Sequence, residues 1–289
     1  MQKPLVSIIL PTFNGERWLQ DSIDSCLNQT WRNLELVIVD DGSSNPRTRE
    51  ILDAQSDERV RLLRLGKNGG LPNALNEGHR AARGALLTWT SDDNAYRPHA
   101  IERMAEPILR NDADFVYAAA GVVDEEGRLI GAMIPGPPES LILDNRVGGC
   151  FLYTREVYEK TGDYDPNFRL AEDYDYWVRV SKRFRMAPMD EDLYLYRLHP
   201  GNLTAEHGER RVREVVDRVR ALRYSRARLD AADGLRAFHR GDRPTARRLL
   251  ARALLRRPHD FSLYRPAAIV MAPEWLVGLV VKLKKRLTH

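Results

Sequence analysis

The chain is poor in residues that staple or anchor a protein. Its 289 residues include two cysteines, Cys26 and Cys150. That is too few for a disulfide framework or a cysteine-built metal site, and it points to a reducing compartment. Long apolar runs are missing too. The longest, from Ala267 to Val281, is broken by Pro273 and Glu274 and is too short for the ~20-residue helix that a bilayer requires. Only Met1–Pro4 precede the first strand-like run, so no signal peptide is expected and a cytoplasmic location is. Neither sign of charge dominates, with 45 basic against 41 acidic residues. The near-balance hides an asymmetry. Residues 200–289 carry a charge of about +12 and those before them about −8, so two regions with different tasks are expected.

What is present is an ordinary globular composition, 43% hydrophobic and 30% charged, long enough for one large domain with an extension. The first half alternates strand and helix signals. Leu5–Leu10, Leu34–Val39, Val60–Leu65, Ala85–Trp89 and Asp114–Ala118 read as short, continuously apolar strands. Between them fall a helix within Gly15–Asn28, one following Pro46, one over Leu71–Ala82 and one opened by Pro98. Continuous apolar strands separated by amphipathic helices imply a parallel sheet covered on both faces, with right-handed crossovers. Three strands then run out into polar loops, Pro11–Asn14, Asp40–Ser44 and Ser91–Asn94. All three fall on one edge of the sheet, the carboxyl edge where open α/β sheets bind ligands.

Farther on, Val122–Ile130 reads as a hairpin around Glu126-Gly127, and Ala171–Arg183 as a helix. Beyond Pro200 the chain reads as helical in three pieces. Gly234–Pro258 has the pattern of one helical hairpin turning at Gly241–Pro244. It is similar to a single tetratricopeptide-type unit, and one copy makes no array.

Asp92 and Asp93 are the most informative pair. Adjacent carboxylates repel each other and require a cation or a hydrogen-bond partner. Beside a diphosphate, paired carboxylates are a usual seat for Mg²⁺ or Mn²⁺.

The ordered set Val6-Ser7-Ile8-Ile9-Leu10-Pro11-Thr12-Phe13-Asn14, Ile38-Val39-Asp40-Asp41-Gly42-Ser43-Ser44, Asn68-Gly69-Gly70-Leu71 and Thr90-Ser91-Asp92-Asp93 resembles glycosyltransferase family 2. The Ser91–Tyr96 segment is similar to that of the bacterial spore-coat member of that family. The resemblance covers about residues 4–205. It implies a GT-A fold, a Rossmann-like, mostly parallel sheet flanked by helices, here with an all-helical C-terminal extension. It also implies transfer of a sugar from a nucleoside-diphosphate sugar, UDP-linked by expectation, to a hydroxyl with inversion, as in surface polysaccharide or glycolipid synthesis. On this basis 1–118 is the nucleotide-sugar half, 119–205 the acceptor and base half, and 206–289 a basic helical extension.

The resemblance assigns roles position by position. Pro11, Thr12 and Asn14 belong to the turn against the nucleotide base. Asp41 holds the base with Asp40 in support, Asp92 meets the ribose, and Asp93 binds the divalent ion, Mn²⁺ or Mg²⁺, that bridges the diphosphate. Ser91 stands where many relatives carry a third Asp. Lys67 is either a further positive charge there or a solvated loop lysine. Glu172-Asp173 matches the pair that supplies the base. Asp173 is the expected proton acceptor and Glu172 its neighbour, although acidic residues at a helix start also complement the dipole. His199, in Tyr196-Arg197-Leu198-His199, is a candidate metal ligand or diphosphate contact.

Two rivals are open. A sugar-phosphate nucleotidyltransferase would show a basic Gly-rich loop where this chain has Pro11–Glu16. A nucleic-acid-binding role for the arginine-dense 210–257 lacks aromatic platforms, zinc spacing or a helix-turn-helix, so no nucleic acid is expected. The acceptor is expected to be a saccharide or lipid-linked. The end of the chain, Glu274–Leu287, combines Trp275 and apolar residues with Lys282, Lys284, Lys285 and Arg286. Such a segment suits peripheral contact with an anionic membrane. Packing on the catalytic domain or on the second subunit of a homodimer is the alternative.

Overall fold

Apolar runs that can be buried on both faces form the centre of the sheet. The structure, a computed structural model, describes residues 3–260 and 263–271. Strands β1 (Val6–Thr12) and β2 (Leu34–Asp40) are buried along their whole length, as expected of strands covered by helices on both sides. Their companions are β3 (Val60–Arg64) and β4 (Leu86–Trp89), with helices α1 (Leu19–Leu27), α2 (Pro46–Asp53) and α3 (Leu71–Ala81) as the crossovers. All pairings among β1, β2, β3 and β4 are parallel.

β1 runs two residues past the strand end read from sequence. Pro11 sits opposite Val39, inside a strand and not in a turn. Proline is tolerated here because the Ile9 carbonyl accepts from Thr90, so Ile9 and Pro11 both face the β4 side. The pairing with β4 stops at Ile9–Trp89, and the missing N–H of Pro11 has no partner to lose.

The remaining elements of this half are β5 (Ala95–Tyr96), α4 (Ala100–Leu109), β6 (Phe115–Val123), β7 (Leu129–Met133), β8 (Phe151–Thr154), α5 (Arg155–Thr161), α6 (Glu172–Val180) and β9 (Met186–Arg197). The sheet order is β3-β2-β1-β4-β8-β6-β9-β5, with β7 on β6. The fifth strand anticipated from sequence therefore does not adjoin β4; antiparallel β8 lies between them. The hairpin of β6 and β7 turns at Gly127, whose φ of 82° suits a glycine. β9 runs parallel to β6 with register shifts around Ala119, bends there, and pairs antiparallel with β5 at Ala95–Leu195. That pairing brings the end of β9 beside the loop that follows β4.

A buried aromatic cluster anchors α6. Tyr164 stacks on Tyr176 at 4.2 Å, and Phe151 meets Trp177 at 4.6 Å. Truncating a buried ring such as Trp177 to alanine costs about 3–5 kcal/mol.

After β9 come α7 (Leu203–His207), α8 (Glu209–Arg223), α9 (Arg226–His239), α10 (Arg243–Arg256) and α11 (Tyr264–Met271). This is more pieces than the three read from sequence. Gly208, with φ 77°, separates α7 from α8, and Ser225 caps α9. The chain divides into two compact units at Val219–Arg220. The second contains the anticipated hairpin. α9 and α10 pack through Ala227, Ala231, Ala246 and Leu250, and the Asp242 carboxylate accepts from the Thr245 amide at the turn. The segment Glu274–Leu287 read as a membrane contact lies outside the described residues. No described helix is long and apolar enough to cross a membrane.

Candidate active site

The carboxyl ends of β1, β2 and β4 are stitched into one surface. Thr12 Oγ1 donates to Asp92 Oδ2 at 2.5 Å. The Asp41 amide donates to the Thr12 carbonyl at 2.9 Å. Asn14, in the left-handed region at φ 57°, uses its side-chain oxygen to accept from the amides of Ser44 and Asn45, each at 2.9 Å. Asn14 thus ties the first loop to the second. Asp40 accepts from the Ser43 amide at 2.8 Å, which shapes the turn that presents Asp41. Asp41 is only 3% exposed, and its two oxygens accept from the amides of Gly69 and Gly70 at 2.8 Å each. These amides open α3, where a carboxylate is favoured by the helix dipole. Each oxygen keeps a second lone pair for a donor on a ligand.

Asp92 rests directly over Gly15. A Cβ on Gly15 would stand 1.9 Å from Asp92 Oδ2, so the close approach requires glycine. Burial, and then the charge of Asp93, push the Asp92 carboxyl up to about 7, against the hydrogen bonds from Thr12 and Phe13.

Asp93 is engaged on one side only. Its Oδ2 receives His199 Nε2 and Asn202 Nδ2, each at 3.0 Å, while its Oδ1 is buried without a hydrogen-bond partner. A buried, unpartnered carboxylate oxygen is costly unless a donor or cation meets it, and one beside an imidazole suits a divalent cation. Among the described residues no three His, Cys, Asp or Glu side chains gather around one point. Asp93 and His199 would therefore be the protein's share of such a site, the rest coming from a ligand's phosphates, as is usual for Mg²⁺. His199 is held by the ring of Trp18 at 4.5 Å, and the Arg197 guanidinium lies over the same ring at 5.0 Å. Arg197 also donates to the Asp93 carbonyl at 3.1 Å.

The second carboxylate pair opens α6. Glu172 is buried and accepts from the Leu170 amide at 2.7 Å. Leu170 has φ 81°, a strained conformation for leucine, of the kind found at functional sites. Asp173 is half-buried and accepts from the Tyr174 amide at 2.6 Å and from Asn145 Nδ2 at 2.9 Å. Burial raises both carboxyls, Glu172 further through the charge of Asp173. The two hydrogen bonds on Asp173 work in the opposite direction. Those hydrogen bonds favour the ionised form of Asp173.

Tyr196 is near enough to both centres to feel their charges. Its phenol is raised first by burial and then by the charges of both Asp93 and Asp173. Lys67 is exposed, and its backbone packs on Gly42, where a Cβ would come 2.8 Å from the Lys67 carbonyl carbon. Sequence reasoning missed Asn145, Tyr196 and Asn202 as site residues. Tyr196 and Asn202 flank His199 in a motif already singled out, whereas Asn145 carried no local signal.

A family profile described as glycosyl transferase family 2 matches residues 7–172. The match stops one residue short of Asp173. An uncharacterized glycosyltransferase of Rickettsia prowazekii is 31% identical over 213 residues, covering 70% of this chain and 66% of that protein. The chain spans only 33% of a second relative, from Rickettsia felis. A Bacillus subtilis protein provisionally named a teichuronic acid biosynthesis glycosyltransferase, TuaG, is 30% identical over 204 residues, covering 68% of this chain and 80% of that one. Among solved structures, S. aureus TarS 1–349 in complex with UDP aligns with a TM-score of 0.61 at 18% identity, covering 89% of this chain and 74% of the other. At that identity the likeness is one of fold.

Proposed function

The chain belongs to glycosyl transferase family 2, and from that premise we propose that it transfers a sugar from a UDP-sugar to a hydroxyl of a saccharide or lipid-linked acceptor, with inversion. The observation that carries the reading is Asp93, whose Oδ1 is buried without a hydrogen-bond partner while His199 Nε2 stands 3.0 Å from its Oδ2. Asp93 suits the leaving diphosphate, and Asp173, at the start of α6, suits the incoming hydroxyl.

Asp41 and Thr12 hold the uracil, with Asn14 and Asp40 fixing their loops, and Asp92 receives a ribose hydroxyl. A divalent ion, Mn²⁺ or Mg²⁺, held by Asp93 and His199, would neutralise the departing diphosphate and act as Lewis acid and template. Asp173 takes the proton of the acceptor hydroxyl as its oxygen attacks the anomeric carbon. The bond from that carbon to the diphosphate oxygen breaks on the opposite face, and its electrons leave with UDP. Glu172 holds the Leu170 turn. Asn145 orients the base. The family match and the TuaG relative support a role in polysaccharide synthesis. The family match favours this reading over a nucleotidyltransferase. We place the protein in the cytoplasm, with the basic end of the chain as a peripheral membrane contact. Flotation with anionic liposomes, with and without residues 272–289, tests that contact.

A panel of nucleotide sugars with Mn²⁺ or Mg²⁺, read for released nucleotide and for the anomeric configuration of the product, tests the reaction. Failure to bind or turn over any nucleotide sugar, or a retained configuration, would sink the proposal.

A further inference from the structure

A second hollow lies on the base side of the site, of about 340 Å³. Arg169 and Leu170, separated from Glu172-Asp173 by Ala171 alone, form one wall. His207 from α7 and Arg211, Glu214 and Arg218 from α8 form the other. Spacings of three and four residues put the α8 side chains on one helix face. Three arginines converge on this space with one carboxylate, and that carboxylate is already engaged. Glu214 receives Arg210, from outside the hollow, at 3.1 Å.

Several arginines of this unit sit in local ion pairs, such as Arg80 with Asp163, Arg128 with Asp124 and Arg185 with Asp114. Arg169 and Arg211 form no such pair among the described residues. Arg218 is steadied over the Phe168 ring at 5.8 Å. Arg169 also reaches the rim of the donor loop, 3.8 Å from where a Cβ would stand on Gly70.

We propose that this hollow binds a phosphate group carried by the acceptor. The charge argues for phosphate. Three arginines exceed what one carboxylate would balance, and guanidinium forks match phosphate oxygens. The position argues for the acceptor. His199 and Asn202, next to the metal carboxylate Asp93, line a separate hollow of about 700 Å³, and no residue lines both. The phosphate hollow instead includes Leu170, whose amide donates to Glu172 beside the base, and an in-line attack requires the acceptor on the base side. Its assignment to the acceptor rests on the glycosyltransferase reading; its affinity for phosphate does not.

The test uses the full chain without metal, saturated with UDP so that the nucleotide site is filled, and titrated with pyrophosphate. Binding is expected in the unmutated protein. It should weaken at least tenfold in Arg211→Gln/Arg218→Gln, with UDP affinity and melting temperature unchanged. Absent binding, equal binding in the variant, or a parallel loss of UDP affinity each overturns the proposal. If UDP itself fails to bind, the donor reading fails and pyrophosphate is titrated alone, with the same outcomes. In turnover, the variant should raise KM for a phosphate-bearing acceptor about tenfold and leave the same sugar without phosphate unaffected. Equal effects on both acceptors would reject the phosphate contact.

Discussion

His199 Nε2 stands 3.0 Å from Asp93 Oδ2 across 106 residues of sequence. The contact exists because β9 pairs with β5, the two-residue strand that directly follows the aspartate loop. It fills one oxygen of Asp93 and leaves the other, Oδ1, without a hydrogen-bond partner.

The first consequence concerns that oxygen. Asp93→Asn keeps the shape and removes the charge, so the cation loses its protein carboxylate. Transfer should fall by several kcal/mol of barrier, about 10³-fold or more. Chelation of the unmutated enzyme should reproduce the loss, and Mn²⁺ or Mg²⁺ should restore it. Full activity in chelator would disprove the metal assignment.

Base and neighbour should separate by mutation. Asp173→Asn is expected to lower transfer by about 10²–10⁴-fold with UDP affinity, measured by calorimetry, intact. Glu172→Gln should be milder, since glutamine still accepts from the Leu170 amide. A reversed order moves the base to Glu172. Loss of UDP binding in both places the pair in the donor site.

Asn145 predicts a pH effect. Its amide favours the ionised form of Asp173 and so holds that carboxyl down against burial. In Asn145→Ala the Asp173 carboxyl should titrate at higher pH. The acidic limb of the rate profile then moves up, and activity at pH 6 falls more than at pH 8. A uniform loss at every pH would argue for a purely structural role.

Gly15→Ala tests the Asp92 seat. The added methyl would stand 1.9 Å from Asp92 Oδ2, so the carboxylate or the loop must move. UDP affinity should drop more than tenfold with little change in melting temperature. Unchanged UDP binding would remove Asp92 from the nucleotide site.

His79 links stability to pH. It is fully buried between the Leu75 carbonyl and the Tyr153 hydroxyl, each at 2.7 Å, and burial lowers its pKa from 6.5 to about 4. The unfolded chain therefore binds a proton more readily between these values. The stability from neutral His79 is whole above about pH 6.5 and is lost as pH falls toward 4, by about 3 kcal/mol in total. Asp92 and Glu172, raised to about 7, act with the opposite sign over the same range. The clean readout is therefore the urea-unfolding difference between the native protein and His79→Gln, which should shrink from pH 7 to pH 4. A pH-independent difference would contradict it.

Local pattern was enough to determine the parallel half of the sheet, β1 to β4. Continuous apolar runs ending in Thr12, Asp41 and Asp93 announce parallel strands whose carboxyl ends converge, because burial on both faces and right-handed crossovers leave little choice of arrangement. The family likeness of the same motifs followed from those residues alone. The tertiary structure decided what depends on long-range pairing. β8 enters between β4 and β6, and the bend of β9 delivers Tyr196, His199 and Asn202 to Asp93. Asn145 reaches Asp173 from an irregular loop, and α7 and α8 meet the Arg169 turn. None of these contacts has a periodicity or spacing to announce it. Each is set by strand register and side-chain packing between segments tens of residues apart, and these exist only once the chain has closed.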